Sequence, residues 1–577
     1  MPKPLRTFFL WFLLAQSATP LFSQAQSPQP AGAQAPAVIR STTRLVQLNV
    51  IVHNTKGEPV EGLKKEDFTV LDQGKEQQIA AFSANSAAPR DASIPSLPTN
   101  VFSNRGASGA ANPGSVTVIL FDALNTAIQD QFYARQQVLK FLRQLQPRDH
   151  VAIYVLTTKI IVLNEFTQDA TSLLQAIQKF SGYYSAQQDA ANPNPNPVDQ
   201  STFVNNTPET DAMASRLRDF LNAADGKFSD FANINRAETT TSAIQAIANH
   251  VARIPGRKSL VWVSASFPIS IGFDGETLSQ PGREQRMFTD EIEHATRALN
   301  QANMAIYPID ARGLLASPHF SATNNTPFST RSPARDLGPD QRNFDTMIVL
   351  ADRTGGKASY NTNDIEGAVQ RAIADGQYTY TLGFYPTHGK WDGKFHELKV
   401  HVNEKGLTLR HRKGYFALPD PPAGPEENKA ALDAAIGSPV EWTNLNLEVA
   451  LKAFDLAVHT LDLQVGLDTH ELSLAPKDGR WSDTIYVLFD QLGAGDKVIT
   501  SEKETFGMNM KPETYERLMR IGTKFSGRLV LSPEVVNLRV IVQDTGSGAI
   551  GTLTIPIKKY VEEAASLGAN PRPAQKP

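Results

Sequence analysis

The residues of this chain that could do chemistry gather at the ends of apolar strands. Val116-Thr-Val-Ile-Leu-Phe runs straight into Asp122-Ala-Leu-Asn125-Thr126, which sets a carboxylate, an amide and a hydroxyl in one short loop ahead of a helical pattern. Oxygen donors of this kind suit a hard divalent cation. The same carboxylate would equally cap the first-turn amides of the helix that follows. Two later strands end on polar groups in the same way: Ser264 closes Ser259-Leu-Val-Trp-Val, and Asp310 closes Met304-Ala-Ile-Tyr-Pro-Ile. Ligands of open α/β sheets bind in the crevice outside the carboxyl ends of the strands, so Asp122 is well placed to hold a cation or a partner. Asp310 faces the same edge and reads first as a turn or helix cap, while Trp262 and Tyr307, inside their strands, read as core.

Other chemistry finds little support. Gly546-Ser-Gly-Ala-Ile-Gly551 has the spelling of a dinucleotide loop, but a strand pattern follows it where phosphate binding needs a helix N-terminus, so it reads as a hairpin turn. Arg410-His-Arg-Lys413 reads as a solvated strand edge in preference to an anion site. The 11 histidines show no metal-binding helical spacing, no Gly-x-Ser-x-Gly elbow occurs, and the absence of cysteine removes thiolate chemistry and disulfides. Catalysis has no advocate among these motifs.

The elements that must position the loop follow from periodicity. At 577 residues the chain should divide into several domains. Strand patterns over residues 41–85 form an N-terminal β unit, and the Ser-, Pro- and Gly-rich stretch 86–114 reads as a linker. From 115 to 386 strands alternate with helices, the form of a doubly wound, mostly parallel sheet. Lys159 to Phe166 lies close enough to the preceding strand to pair antiparallel with it. Long insertions near 182–230, 266–283 and 313–342 could shape a binding face. A β segment over 387–418, a Pro-rich linker over 419–437, a C-terminal β domain over 438–560, read as a sandwich, and a polar tail over 561–577 complete the chain.

The first 25 residues, with Lys3 and Arg6 ahead of Phe8-Phe-Leu-Trp-Phe-Leu-Leu14 and small residues up to Ala25, fit a secretory signal, and 26–40 is a polar linker. No later segment is apolar for long enough to span a bilayer, so the mature chain is expected to be exported to the periplasm or beyond the cell. A net charge of −3 gives no reason to expect nucleic-acid binding.

Val116 to Thr126, Arg148 to Tyr154, Pro255 to Ser264, Tyr378 to Pro386 and His411 to Phe416, in this order and spacing, resemble the von Willebrand factor A (VWA) domain. They resemble more closely the exported VWA-related family described from Acidobacteria. The resemblance covers about residues 41–418 and implies an α/β domain, set among β modules, that holds proteins together and is not an enzyme. In metal-binding VWA domains an Asp-x-Ser-x-Ser loop, a Thr from a second loop and an Asp after a later strand hold Mg²⁺ or Mn²⁺. Here Asp122 and Thr126 match the ends of that loop, but Leu124 offers no oxygen. Asn125 could add a carbonyl oxygen, and Thr239, Thr240 or Thr241 the second-loop hydroxyl. Ala265-Ser266 stands where the later Asp is expected, leaving Ser264 or Ser266 to substitute. Weak Mg²⁺ or Mn²⁺ binding, through Asp122, Asn125, Thr126, Thr240 and Ser264, is the most this degenerate set would support. The expected function is an exported, non-catalytic protein-binding or scaffolding protein that meets its partner at the carboxyl edge. The alternatives are a Mg/Mn-dependent adhesion module and an exported hydrolase.

Overall fold

The computed structural model describes residues 45–86, 97–98, 100–104, 115–146, 149–191, 208–254, 256–268, 283–314, 345–387, 391–392, 394–417 and 424–568. The expected signal segment 1–25, the polar linker 26–40 and most of the insertions 266–283 and 313–342 lie outside these residues, whereas the expected insertion 182–230 holds a helix over Ala186–Ala191 and the start of the long helix Pro208–His250.

The chain opens with β1 (Val46–His53), β2 (Phe68–Asp72), β3 (Lys75–Gln77), β4 (Ile79–Ser86) and β5 (Val101–Ser103). The α/β unit follows, with β6 (Ser115–Asp122), α1 (Ile128–Leu142), β7 (His150–Leu156), β8 (Ile160–Thr167), α2 (Ala170–Lys179), α3 (Ala186–Ala191) and α4 (Pro208–His250). It continues through β9 (Arg257–Ser264), α5 (Arg283–Gln301), β10 (Met304–Asp310), α6 (Asp345–Thr354) and α7 (Ile365–Gln377). Its sheet has the order β10-β9-β6-β7-β8. The first four of these strands run parallel, and β8 joins the edge antiparallel, as the short connection after β7 suggested. Val118 to Phe121, Val151 to Leu156 and Leu260 to Val263 are buried on both faces, which is why these strands read as unbroken apolar runs. One face packs under α4, α5 and α6, and the other under α1, α2 and α7.

Strands β11 (Tyr378–Phe384), β12 (Phe395–Val402), β13 (Thr408–Arg410) and β14 (Gly414–Phe416) return the chain to its beginning. Two sheets result, β13-β1-β11-β4 and β14-β12-β2-β3, around a core that includes Leu48, Val50, Phe68, Val70, Tyr380, Leu382 and Leu398. The segment assigned to the end of the α/β unit, 378–386, therefore contributes its strand to the N-terminal β module, antiparallel to both β1 and β4. Its half-alternating burial and the Tyr380 hydroxyl, which donates to Val60 O at 2.9 Å, tie it there.

After α8 (Pro425–Gly437) come β15 (Leu447–Asp455), β16 (Thr460–Leu467), β17 (Ala475–Lys477), β18 (Arg480–Leu492), β19 (Val498–Met510), α9 (Pro512–Ile521), β20 (Thr523–Val530), β21 (Asn537–Asp544), β22 (Ile550–Ile555) and α10 (Ile557–Gly568). Sheets β20-β16-β15-β5 and β17-β18-β21-β22, the second extended by β19, share a core of inward-facing Leu, Val and Ile as a sandwich. Three boundaries differ from expectation. The 86–114 linker holds β5, which pairs with β15. The 419–437 linker holds α8, started by Pro425 with Glu426 and Glu427 in its first turn. The tail begins as α10 and runs helically to Gly568.

Candidate functional site

Parallel register lines up one row at the carboxyl edge of the α/β sheet. Asp122 stands opposite Leu156 and Asp310 opposite Ser264, while the pairing of Phe121 with Val263 sets Asp122 beside Ser264. The loop after β6 is then pinned by backbone bonds from Ala123 N and Leu124 N to Leu156 O, at 2.9 and 3.0 Å. This holds the Asp122 carboxylate, wholly buried, over the end of its own strand.

Four donors converge on that carboxylate. Oδ1 accepts from Asn125 N at 3.0 Å, and Oδ2 accepts from Asn125 Nδ2 at 2.8 Å, Trp262 Nε1 at 3.0 Å and Ser264 Oγ at 2.9 Å. Burial pushes the Asp122 carboxyl above its ordinary pKa and these hydrogen bonds pull it back. The amide and indole nitrogens can only donate, so both Asp122 oxygens act as acceptors.

Asn125 relays this charge outward. Its Nδ2 also donates to Thr240 Oγ1 at 2.8 Å, and its Oδ1 accepts from Arg236 Nε at 3.0 Å. Arg236 is 3% exposed, and burial lowers its pKa to about 10 against the opposing pull of Asp122. Thr240 hydroxyl donates back to Arg236 O at 2.7 Å, so one turn of α4 supplies both groups. Thr126 Oγ1 accepts from Ala265 N at 3.1 Å, and Ser264 Oγ also lies 3.1 Å from Ser266 O. Gln131 closes the cluster, donating from Nε2 to Ala123 O, Thr126 O and Tyr183 O at 3.1, 2.7 and 2.8 Å.

All five residues singled out for a metal, Asp122, Asn125, Thr126, Thr240 and Ser264, are thus brought together. Of the three neighbouring threonines it is Thr240 that faces the loop. Thr239 and Thr241 bond back to Asn235 O and Ala237 O, because the stretch lies inside α4 and not in a loop. Arg236 and Gln131 were missed. Arg236 precedes Thr240 by one helical turn, a spacing that puts both on one face and was the available signal.

The donor set does not fit Mg²⁺ or Mn²⁺. Such an ion needs several anionic or unengaged oxygens, yet Asp122 Oδ2 already accepts three hydrogen bonds, and Asp122 Oδ1, Asn125 Oδ1, Thr240 Oγ1 and Thr126 Oγ1 each accept one. Asp122 is the one carboxylate in the cluster, and among the described residues no group of three or more His, Asp or Glu could hold a metal. Leu124, where the metal motif has an oxygen, is fully buried in the apolar core with Trp262, Ile244 and Ile247. Positive charge comes instead from the Arg236 guanidinium. Asp310, the second acid at this edge, caps its turn as expected, accepting from Arg312 N at 3.0 Å, and is also neutralised directly: Arg312 donates to it from Nε at 2.9 Å and Nη2 at 3.0 Å.

Exposed apolar side chains lie on described elements beside this cluster. Ile128 and Phe132 on the first turns of α1, Tyr184 ahead of α3 and Leu314 after β10 are exposed by 39, 43, 65 and 60%. The Gly182 backbone packs against Ile128, and Leu314 N donates to Asn363 Oδ1, whose residue also meets Tyr133 of α1, so these loops share one rim.

No family model matches the chain, and no curated protein matches it. Solved structures with some likeness include an aerotolerance-related membrane protein of Bacteroides fragilis, at 14% identity over 45% of this chain and 98% of that one, TM-score 0.22. BatB of Bacteroides thetaiotaomicron shares 13% over 45% and 98%, TM-score 0.23. The pilus adhesin SpaC of Lactobacillus rhamnosus shares 8% over 85% and 59%, TM-score 0.26. At such identities and scores the functional reading rests on the site's own geometry.

The remaining motifs resolve locally. Gly546 to Gly551 is the turn between antiparallel β21 and β22. The basic run begins on edge strand β13, as expected; Arg410 pairs with Asp375, and exposed Lys413 with Asp352.

Proposed function

We propose that this is an exported, non-catalytic protein-binding or scaffolding protein whose VWA-like α/β unit meets a protein partner at its carboxyl edge without a metal ion. The observation that carries this reading is the group of exposed apolar side chains, Ile128, Phe132, Tyr184 and Leu314, near a polar cluster whose single carboxylate is already held by four protein donors. Exposed apolar side chains grouped on loops over a rigid sheet are the usual makings of an interface. A non-catalytic role agrees with the cluster's chemistry: Ser264 Oγ donates to a carboxylate, and among the described residues no histidine bonds to it to take its proton. No described helix is long and apolar enough to cross a membrane. The β modules would act as spacers or further contact surfaces.

A photo-reactive amino acid placed at Phe132, and separately at Lys140 near the other end of α1, tests the reading in cells that produce the protein. A discrete crosslinked species is expected from position 132 and not from 140, with the same yield in EDTA. Equal yields at the two positions would remove the edge from the account, and loss of the crosslink in EDTA would restore the metal-dependent adhesion module.

A further inference from the structure

At the opposite, amino edge of the α/β sheet lies a small cavity of about 20 Å³, lined by Gln47 and Asn49 of β1, Arg257 at the start of β9, Asn303 ahead of β10, Thr354 and Arg412. It is large enough for one water-sized occupant. Its lining holds two guanidinium groups and several amides and no carboxylate. Arg257 is 4% exposed; its Nη2 donates to Tyr307 Oη at 3.1 Å and Gly355 O at 2.9 Å, while its Nε is buried with no partner. Arg412 Nη2 donates to Gln47 O at 2.6 Å, and its Nε is likewise buried without a partner. Asp375, an acid of the neighbouring strand junction, is engaged by Arg410 and His53. Arg257 is buried and Arg412 half-buried, both Nε–H groups are buried and idle, and among the described residues lining the cavity there is no carboxylate, so the charge is desolvated with little to offset the loss.

We propose that this cavity is a binding site for a small inorganic anion of halide size, chloride in ordinary media, which joins the N-terminal β module to the α/β unit. The two Nε–H groups supply directed donors, and the charge of both guanidiniums supplies the attraction. Asn49 and Asn303 hold the wall, Asn49 Nδ2 donating to Asn303 Oδ1 at 2.7 Å. The exposed flanks of Gln47 and Asn303 give the ion access from solvent. Polyatomic anions such as sulfate are too large for the space, so selectivity should follow ionic radius.

The test is thermal unfolding of the full mature chain in sodium chloride, bromide, sulfate and gluconate at matched ionic strength, with bromide-soaked crystals in parallel. The expected result is a melting temperature that rises with chloride or bromide and levels off, does not rise with sulfate or gluconate, and is accompanied by a bromide anomalous peak between Arg257 and Arg412. Arg257→Gln should abolish the halide dependence. Identical melting in all four salts, or a halide effect with no peak in the cavity, would overturn the proposal and leave water as the occupant. If Arg257→Gln does not fold, the bromide peak in the parent decides alone.

Discussion

Replacing Asp122 with Ala separates a self-contained polar cluster from a vacant metal site, because the two make opposite predictions for the metal-free protein. In the cluster, the carboxylate satisfies Asn125 N, Asn125 Nδ2, Trp262 Nε1 and Ser264 Oγ. Ser264 can turn its hydroxyl to Ser266 O and Asn125 Nδ2 keeps Thr240, which leaves chiefly the Asn125 amide and the Trp262 indole orphaned. Each orphaned buried donor costs about 1–3 kcal/mol. Arg236 also loses the charge that offsets its burial, so the variant should lose roughly 3–6 kcal/mol. Urea unfolding of parent and variant in EDTA measures this. The same proteins should show no shift with Mg²⁺ or Mn²⁺, whereas a bound ion at a hundredfold over its dissociation constant would add about 2.7 kcal/mol. An Asp122→Ala protein as stable as the parent in EDTA, or a parent whose metal-induced shift disappears in the variant, would refute the reasoning.

Further expectations rest on separate contacts. Leu124→Ser restores the oxygen of the metal motif but empties a fully buried core position; it should cost about 2–5 kcal/mol and confer no Mg²⁺-dependent stabilisation, which the same unfolding series reads. Arg312→Met strips Asp310 of its fork and leaves a 2% exposed carboxylate without its counter-charge, held by the residue 312 amide, so a loss of about 3–5 kcal/mol is expected in urea melts at pH 7. In the C-terminal sandwich, burial first and the neighbouring Asp544 second raise the Asp483 pKa to about 7. A carboxyl whose folded pKa lies above its unfolded one stabilises the protein at low pH, and that contribution is lost as pH rises from about 4 to about 7. Because the side chain is partly solvated, the loss should be about 1–2 kcal/mol. Asp483→Asn should flatten that slope in urea midpoints taken between pH 4.5 and 8, and an unchanged slope would assign the titration elsewhere.

Which of these features could be read from the chain depends on how far away the deciding contact lies. Strands β6, β7 and β9 are legible because burial on both faces writes an unbroken apolar run into the sequence, and the loop after β6 is legible because its polar groups are adjacent. Strand β5 is not: its three residues gain their partners from β15, more than 300 positions later, and nothing in a Ser- and Asn-rich stretch records that. Strand β11 follows a helix, as a parallel strand would, yet its side chains answer to β1 and β4. Helix α8 did announce itself, with Pro425 in the first turn and acids beside it, but the prolines before it masked the signal. The same division runs through the candidate site. Leu124 and Ala265 read, residue by residue, as ligands lost from a metal loop. In the fold, Leu124 fills core volume, the Ala265 amide donates to Thr126, and Arg236 brings the charge that a cation would have brought. Each departure from the motif has a partner of its own, so the set behaves as a different solution to burying Asp122, and the repair of any single position should confer no metal-dependent stabilisation.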